Sequence, residues 1–81
     1  MTMEQIDFFL MTVRCDTFLE AAENLHIAQS TLSKQIQKLE SELNLTLFDR
    51  TRRQAVLTPA GELFCQEASE LSRQYHQMLQ K

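Results

Sequence analysis

Apolar side chains recur every three or four residues along much of the chain, a spacing that places them on one face of an α-helix. One series predicts a helix from residue 2 or 3 to residue 15, and its members are Met3, Ile6, Leu10 and Val13. Another predicts a helix from about residue 28 to residue 43, and its members are Leu32, Ile36, Leu39 and Leu43. Each of these helices should bury one face and leave the other exposed.

Polar residues between these two series indicate a short helix followed by a tight turn. Thr17 and Glu20 have the spacing of a capping box, which predicts the start of a helix that runs to Leu25. His26 tolerates a left-handed backbone better than most residues, so we assign it to the turn that closes this helix. Asn44 suits the same conformation at the end of the next helix.

The segment after Asn44 has two short apolar pieces, 45–50 and 55–57, on either side of a polar, basic tip at 51–54. This pattern predicts a small β-hairpin. Thr58 and Pro59 then provide a cap and a first helical residue for a fourth helix. The order helix, helix, turn, helix, hairpin, helix predicts a mainly α winged helix-turn-helix with a three-helix core, a short β-hairpin wing and a long C-terminal helix.

The composition of the chain argues against several classes of function. The 81 residues are enough for one domain, and no apolar run is long enough to span a bilayer. No signal peptide is evident, so we expect a soluble cytoplasmic protein. The two cysteines and two histidines fit no metal-ligand spacing, and Gly61 is the single glycine, which excludes a glycine-rich phosphate loop. Because no catalytic constellation is evident either, we expect no cofactor and no enzymatic activity.

The net charge of −3 is unevenly distributed. Residues 28–53 contain five basic and three acidic residues, a balance of +2, which leaves three basic and eight acidic residues, or −5, for the rest. A local basic surface matters more for phosphate binding than the total charge. The central segment is therefore the candidate for contact with nucleic acid.

The predicted outer face of the third helix bears hydroxyls, amides and lysines but no acid, which is typical of a helix that reads the major groove. Two arginines at the predicted hairpin tip could reach a minor groove or a phosphate. The expected DNA-contacting residues are Gln29, Ser30, Thr31, Ser33, Lys34, Gln37, Lys38, Thr51, Arg52 and Arg53. Two alternatives remain at this stage: a winged helix of another family that relies more on its wing or first helix, and a winged-helix protein-interaction module without DNA binding.

The fourth helix carries a heptad seam, whose members are Phe64, Ala68, Leu71, Tyr75 and Met78. Its first turns, around Leu63 and Phe64, should pack on the core of the same chain. A small core cannot cover a helix about 30 Å long, so the distal part from Leu71 to Leu79 should stay exposed. We therefore expect a homodimer through residues 60–80.

Several motifs together resemble the N-terminal domain of LysR-type transcriptional regulators. They are the segment from Ala21 to Ser30, the groups at 33–36, 39–40 and 43, Leu47-Phe48-Asp49-Arg50, and Leu57-Thr58-Pro59-Ala60-Gly61. The resemblance covers nearly the whole chain. It implies a DNA-binding domain at 1–58 and a linker or dimerisation helix at 59–81.

The resemblance also implies a bacterial regulator that binds double-stranded DNA at interrupted palindromes, as dimers that assemble into tetramers. A small-molecule effector would bind only a C-terminal domain that these 81 residues do not include. The base-reading positions of the family fall on Gln29, Ser30, Ser33 and Lys34. Its wing contact falls on Arg53, with Arg52 and Thr51 beside it.

Four positions depart from the family pattern. Ser30 stands where proline is frequent, and Lys34 where arginine is frequent, so a bidentate fork is replaced by a single ammonium. Ala28 occupies the usual serine cap of the recognition helix, which forfeits about 1 kcal/mol of capping. Asn44 replaces the usual glycine.

Overall fold

Four helices account for most of residues 1–80, the part of the chain that the computed structural model describes. They are α1 (Met3–Arg14), α2 (Phe18–Leu25), α3 (Gln29–Leu43) and α4 (Pro59–Leu79). Their order and approximate bounds agree with the periodicity of the apolar residues. None of these helices is long and apolar enough to cross a membrane.

The helix starts follow the polar residues that precede them. Thr17 caps α2 by accepting a hydrogen bond from the Glu20 backbone N–H, at 3.1 Å. Within residues 1–80 the Glu20 side chain does not bond back, so the predicted box has only its threonine half. The complete capping box lies at α1, where the side chains of Thr2 and Gln5 each accept from the other's backbone N–H.

The predicted left-handed turns are confirmed. His26 ends α2 with φ 59° and ψ 40°, and Asn44 ends α3 with φ 55° and ψ 41°. Because His26 reverses the chain without a glycine, α2 and α3 are separated by only three residues, 26–28. This short connection holds the start of α3 beside α2.

The loop from residue 45 to 57, called here the 45–57 loop, differs from the predicted β-hairpin. Residues 1–80 contain no β-strand, and the loop is closed by one antiparallel bridge between Phe48 and Leu57. The Asp49 N–H donates to the Val56 carbonyl at 2.8 Å beside this bridge. The loop therefore folds back on itself as a hairpin does, but over a single pair.

Competing hydrogen bonds explain why the ladder stays so short. The Val56 N–H, which would donate to the Asp49 carbonyl in a longer ladder, donates instead to the Gln54 carbonyl at 3.0 Å. On the other side of the bridge, the Leu47 N–H, which would also donate across the pair, donates to the Glu40 carboxylate at 2.7 Å. Since both of these N–H groups are satisfied elsewhere, they are not available to extend a two-stranded ladder.

The Ala55 N–H faces away from the bridged pair. It donates to the carbonyl of Asp16, at 2.8 Å, and so docks the loop on the turn between α1 and α2.

The core draws on all four helices and on the 45–57 loop. Its apolar members, each at most 2% exposed, are Ile6, Phe9, Ala21, Ala22, Leu32, Ile36, Leu39, Leu47, Phe48 and Ala68. Phe9 lies between two other rings, with centroid distances of 5.5 Å to Phe48 and 5.1 Å to Phe64. Phe18 adds an edge-to-face contact with Phe48 at 5.1 Å. These aromatic contacts join α1, α2, α4 and the loop.

Only the first half of α4 belongs to this core. Ala68 is 2% exposed, and Phe64 packs on Phe9, so these two members of the predicted seam are used within the chain. The exposed part of the seam begins at Leu71 and includes Tyr75 and Met78. A three-helix core is too small to cover 21 residues of helix, so the distal half of α4 extends beyond it.

Gly61 permits the close approach of α4 to the 45–57 loop, and Gly61→Ala should destabilise the fold. A Cβ at this position would lie 2.1 Å from the Leu47 carbonyl oxygen and 3.0 Å from Leu57 Cδ2. Overpacking of this kind costs about 1–3 kcal/mol. Urea unfolding followed by circular dichroism measures the loss.

Gln66→Ala, at an exposed position of the same helix, is the control and should change the free energy of unfolding by less than about 0.5 kcal/mol. Both variants are compared with the unmodified chain at one protein concentration, because any dimerisation adds to apparent stability. Equal stability of Gly61→Ala and Gln66→Ala would contradict the close packing of α4 on Leu47.

Candidate functional site

The outer face of α3 is open to solvent along its length. Leu32, Ile36 and Leu39 are fully buried, which turns the opposite side of the helix outward. Exposed on that side are Gln29, Ser30, Thr31, Lys34, Gln37 and Lys38, with Ser33 half-buried at the edge. None of these seven side chains hydrogen-bonds to another group within residues 1–80. Their donors and acceptors are therefore free for a ligand.

The start of α3 adds a weak positive field to this face. Its N-cap is Ala28, which has extended backbone angles and no side-chain capping bond. The first N–H groups of the helix are therefore not capped by a side chain at this position. Free N–H groups and the helix dipole together attract an anion.

Acidic groups are kept off the outer face of α3. Glu40 and Glu42 are the only acids of this helix, and both lie near its C-terminal end. The Glu40 carboxylate is directed at the 45–57 loop, and Glu42 pairs with the N-terminal ammonium of Met1. The electrostatic balance of the outer face is therefore set by Lys34 and Lys38.

The tip of the 45–57 loop, residues 49–54, is built around one carboxylate. Asp49 accepts hydrogen bonds from the Thr51 hydroxyl at 2.6 Å and from the Thr51 N–H at 3.0 Å. These bonds, together with the charge of Arg52, lower the pKa of Asp49 below its ordinary value. The carboxylate therefore remains ionised and holds the tip in a compact turn.

The two arginines of the tip are not equivalent. Arg52 Nε lies 3.7 Å from Asp49 Oδ2, so part of its charge is offset. Arg53 is exposed and forms no ion pair with any residue in 1–80. Thr51 is exposed too, but its hydroxyl already donates to Asp49. Of the two arginines among the three predicted tip contacts, Arg53 is thus the one with no ion-pair partner in the described chain.

The fold places the start of α3 next to this tip. A cleft of about 290 Å³ is lined by Gln29, by the arginines of the tip and by the first residues of α2. Lys34 and Lys38 lie further along α3, beyond the cleft, and face a shallower surface with Gln37 and Ser41. The predicted contacts therefore form one continuous surface that runs from the tip along α3.

Glu40 is a residue of this site that the sequence pattern did not identify. Its Oε2 accepts from the Leu47 N–H at 2.7 Å, and its Oε1 accepts from Arg50 Nη2 at 2.9 Å. The Arg50 guanidinium also lies over the Phe18 ring, 4.9 Å from its centroid. The sequence pattern placed no acid on the outer face of the third helix and gave Glu40 no role. The sequence feature that could have identified Glu40 is that it belongs, like Arg50, to the motifs that resemble the family.

A second exposed surface lies on distal α4. Leu71, Tyr75, Met78 and Leu79 are 41%, 36%, 65% and 65% exposed. Beside them, Glu70 accepts hydrogen bonds from Arg73 and Gln74. The Arg73 guanidinium lowers the pKa of Glu70, and Glu70 in turn raises the pKa of Arg73. The apolar stripe is thus flanked by a charged, solvated edge, an arrangement common at helix–helix interfaces.

Two helices joined by a left-handed turn, with the second presenting an unpartnered polar and basic face, define a helix-turn-helix protein. The chain belongs to the family described as bacterial regulatory helix-turn-helix protein, lysR family, whose profile matches residues 3–62.

Known proteins with similar sequences are described as transcriptional regulators. The chain is 41% identical over 81 residues to the uncharacterized HTH-type transcriptional regulator YcgK of Bacillus subtilis. The aligned region comprises 100% of this chain and 25% of that protein. The chain is 39% identical over 79 residues to the HTH-type transcriptional regulator BenM of Acinetobacter baylyi, with coverage of 98% and 26%. The chain thus spans about a quarter of the length of these relatives.

Solved structures agree with this assignment at the level of the fold. The crystal structure of the BenM DBD/catB site 1 DNA complex matches with a TM-score of 0.95 and 39% identity, over 99% of this chain and 86% of that one. The BenM DBD/benA site 1 DNA complex matches with a TM-score of 0.94 and the same identity, over 99% and 93%.

Proposed function

We propose that this chain is the sequence-specific DNA-binding domain of a LysR-type transcriptional regulator and binds a palindromic operator as a dimer. The observation that carries the proposal is the outer face of α3, whose seven polar side chains have no partner in residues 1–80. Its similarity to a domain that was crystallised with DNA supports the same conclusion. Effector response and assembly into tetramers belong to the longer protein of which such a domain is part.

In this proposal α3 enters the major groove. Ser30, Ser33 and Lys34 lie on the N-terminal half of the helix, the part that contacts base edges in helix-turn-helix proteins. The hydroxyls can donate or accept, and the Lys34 ammonium can donate to guanine O6 and N7. Gln37 and Lys38 follow one turn later, next to the backbone of the duplex. Gln29 and Thr31 complete the contact surface at the start of the helix.

The tip of the 45–57 loop serves as the wing, although one bridge rather than two strands closes it. Arg53 supplies the free guanidinium for a phosphate or a narrow minor groove. Arg52 contributes less, because Asp49 offsets part of its charge. Thr51 contacts DNA through its exposed surface, with its hydroxyl retained by Asp49.

The uneven charge distribution suits a DNA-binding protein of net charge −3. Acidic residues on the other faces repel a polyanion, while the basic segment 28–53 attracts it, so the duplex is steered to one side of the domain. A protein-interaction module would instead need apolar area on the exposed face of α3. A regulator of this kind binds rather than catalyses, and works in the cytoplasm, where bacterial chromosomal DNA lies.

Residues 1–58 form the DNA-binding unit of this proposal, and α4 (Pro59–Leu79) is the dimerisation helix; the last residue of the predicted segment 59–81 lies outside the described residues. The partner contact is the exposed part of the seam: Leu71, Tyr75 and Met78, together with Leu79. Phe64 and Ala68 anchor the base of the seam in the core of their own chain. A two-fold axis through α4 would place two copies of α3 on successive major-groove faces about 34 Å apart.

Selection of bound sites from a random DNA pool tests the function directly. We expect an interrupted palindrome to be enriched, and a duplex of that sequence to bind more tightly than a scrambled duplex at the same salt concentration. Enrichment of no sequence, with equally weak binding to both duplexes, would contradict the proposal.

Lys34→Ala and Arg53→Ala should have different effects on DNA binding, the first on sequence discrimination and the second on general affinity. Lys34→Ala should cost roughly 1–3 kcal/mol on the selected site and flatten discrimination at one base pair. Arg53→Ala should weaken all sequences alike if it contacts phosphate, and should reduce the salt slope by about 1. If Arg53 enters a minor groove, AT-rich flanks should be affected most.

Fluorescence anisotropy on matched duplexes at several salt concentrations separates these outcomes. Arg14→Ala is the control, because it removes one positive charge from an exposed position on α1. Lys34→Ala that binds at unmodified strength with unchanged base preference would show that Lys34 does not read the operator.

Leu71→Glu should prevent dimerisation. The substitution places a charge at the start of the exposed stripe, where a partner helix would have to desolvate it. Analytical ultracentrifugation should find the unmodified chain in a concentration-dependent monomer–dimer equilibrium and Leu71→Glu as a monomer. Gln66→Glu, which adds the same charge on the opposite side of α4, should dimerise normally. A monomeric unmodified chain at high concentration, or a Leu71→Glu dimer of equal strength, would refute this interface.

A further inference from the structure

One side-chain hydrogen bond links helix α3 to the tip of the 45–57 loop. Among residues 1–80, the bond from Arg50 Nη2 to Glu40 Oε1 is the only side-chain hydrogen bond between α3 and residues 49–54. Arg50 is the residue of the tip directly after Asp49, so its position affects where Arg53 lies. The remaining contacts of the loop hold its base or dock it on the α1–α2 turn.

The environment of this pair favours a fixed geometry. The Glu40 side chain is only 13% exposed, and its second oxygen accepts from the Leu47 N–H. The Arg50 guanidinium is stacked over Phe18 and lies 6.0 Å from the Phe48 centroid. A charge-assisted bond between two groups that are each held by further partners leaves little rotational freedom. In the pair of Glu70 with Arg73, by contrast, only the carboxylate has a further partner, Gln74.

We infer, on the basis of the proposed function, that Glu40 is a positioning residue that sets the place of the wing relative to the recognition helix. Glu40 itself faces the loop and contacts no DNA. It holds Arg50 against Phe18, and thereby fixes the side of the duplex to which Arg53 is presented while α3 occupies the major groove. An acidic side chain beside a DNA-binding surface thus increases the affinity for DNA instead of lowering it.

The substitution Glu40→Gln separates the two functions of this carboxylate. An amide has one acceptor oxygen and an NH₂ group that only donates. When the oxygen keeps the bond from the Leu47 N–H, the NH₂ group meets the donor of Arg50, and the link to the tip is lost. Glu42→Gln is the matched control, because it makes the same chemical change on the same helix without contact to the 45–57 loop.

Charge alone predicts that both variants bind DNA slightly more tightly, since each loses one negative charge. We expect Glu42→Gln to do so, whereas Glu40→Gln should raise the dissociation constant for the selected duplex roughly three- to tenfold. The opposite sign of the two effects is a readout that general electrostatics cannot produce.

A double-substitution cycle then tests the route of the effect. Arg53→Ala should weaken binding severalfold in the unmodified chain and less than about twofold in the Glu40→Gln chain. Lys34→Ala should weaken binding by the same factor in both chains, because α3 itself holds Lys34. A purely structural loss would lower the folded fraction equally in every background, and would leave the factors for Arg53 and Lys34 unchanged.

The outcomes distinguish this inference from the proposed function. An unmodified chain that does not discriminate the selected duplex refutes the proposed function. Discrimination by the unmodified chain, with a full Arg53 effect retained in Glu40→Gln, refutes the positioning role alone. If circular dichroism shows that Glu40→Gln is unfolded, Arg50→Lys replaces it in the cycle. This variant keeps the charge but not the planar fork. A reduced Arg53 effect in Arg50→Lys supports the role, and an unchanged effect overturns it.

Discussion

The packing of Phe48 against Phe9 and Phe18 is the contact on which the arrangement of the site depends. The chain, having left α3, returns to the core at Leu47 and Phe48, and Phe48 is 1% exposed. Its ring contacts α1 through Phe9 and α2 through Phe18, at 5.5 and 5.1 Å. With this ring in place, the Leu47 N–H meets Glu40, and Leu57 pairs with Phe48 in the single bridge. The position of the tip therefore depends on the packing of the Phe48 ring in the core and not on a β-sheet.

As a consequence, the inner side of α3 is held rigidly by the core, while the side chains on its outer side are available to a ligand. The inner side of α3 is fully buried, and Glu40 on its flank is hydrogen-bonded to the loop. The side chains on the outer side have no internal partners in the described chain. Their hydroxyl, amide and ammonium groups can therefore bind a ligand without breaking an existing hydrogen bond. Pre-organised groups on a rigid element lose little entropy on binding, which favours recognition of a specific sequence.

The local features of this fold could be predicted from the sequence, because they depend on neighbouring residues. The buried and exposed faces of α3 follow from its apolar spacing, and the left-handed turns at His26 and Asn44 follow from residue type. Features that depend on the path of the 45–57 loop could not be predicted. The reduced hairpin and the contacts of Glu40 arise from partners on different elements, and the difference between Arg52 and Arg53 depends on the shape of the turn that Asp49 holds at the tip. On α4, the core contact was expected around Leu63 and Phe64; Phe64 does pack on Phe9, but Leu63 is 67% exposed, because it lies beside the seam and not on it.

Backbone amide chemical shifts of the nitrogen-15-labelled chain, recorded as the selected duplex is added, test the central claim most directly. The claim is that one continuous surface, from the tip of the 45–57 loop along the outer face of α3, binds DNA. We predict that the largest shift changes fall at residues 29–38 and 51–53, with small changes on the acidic faces of α1 and α2. Changes concentrated on α1 or α4, with residues 29–38 unaffected, would contradict it.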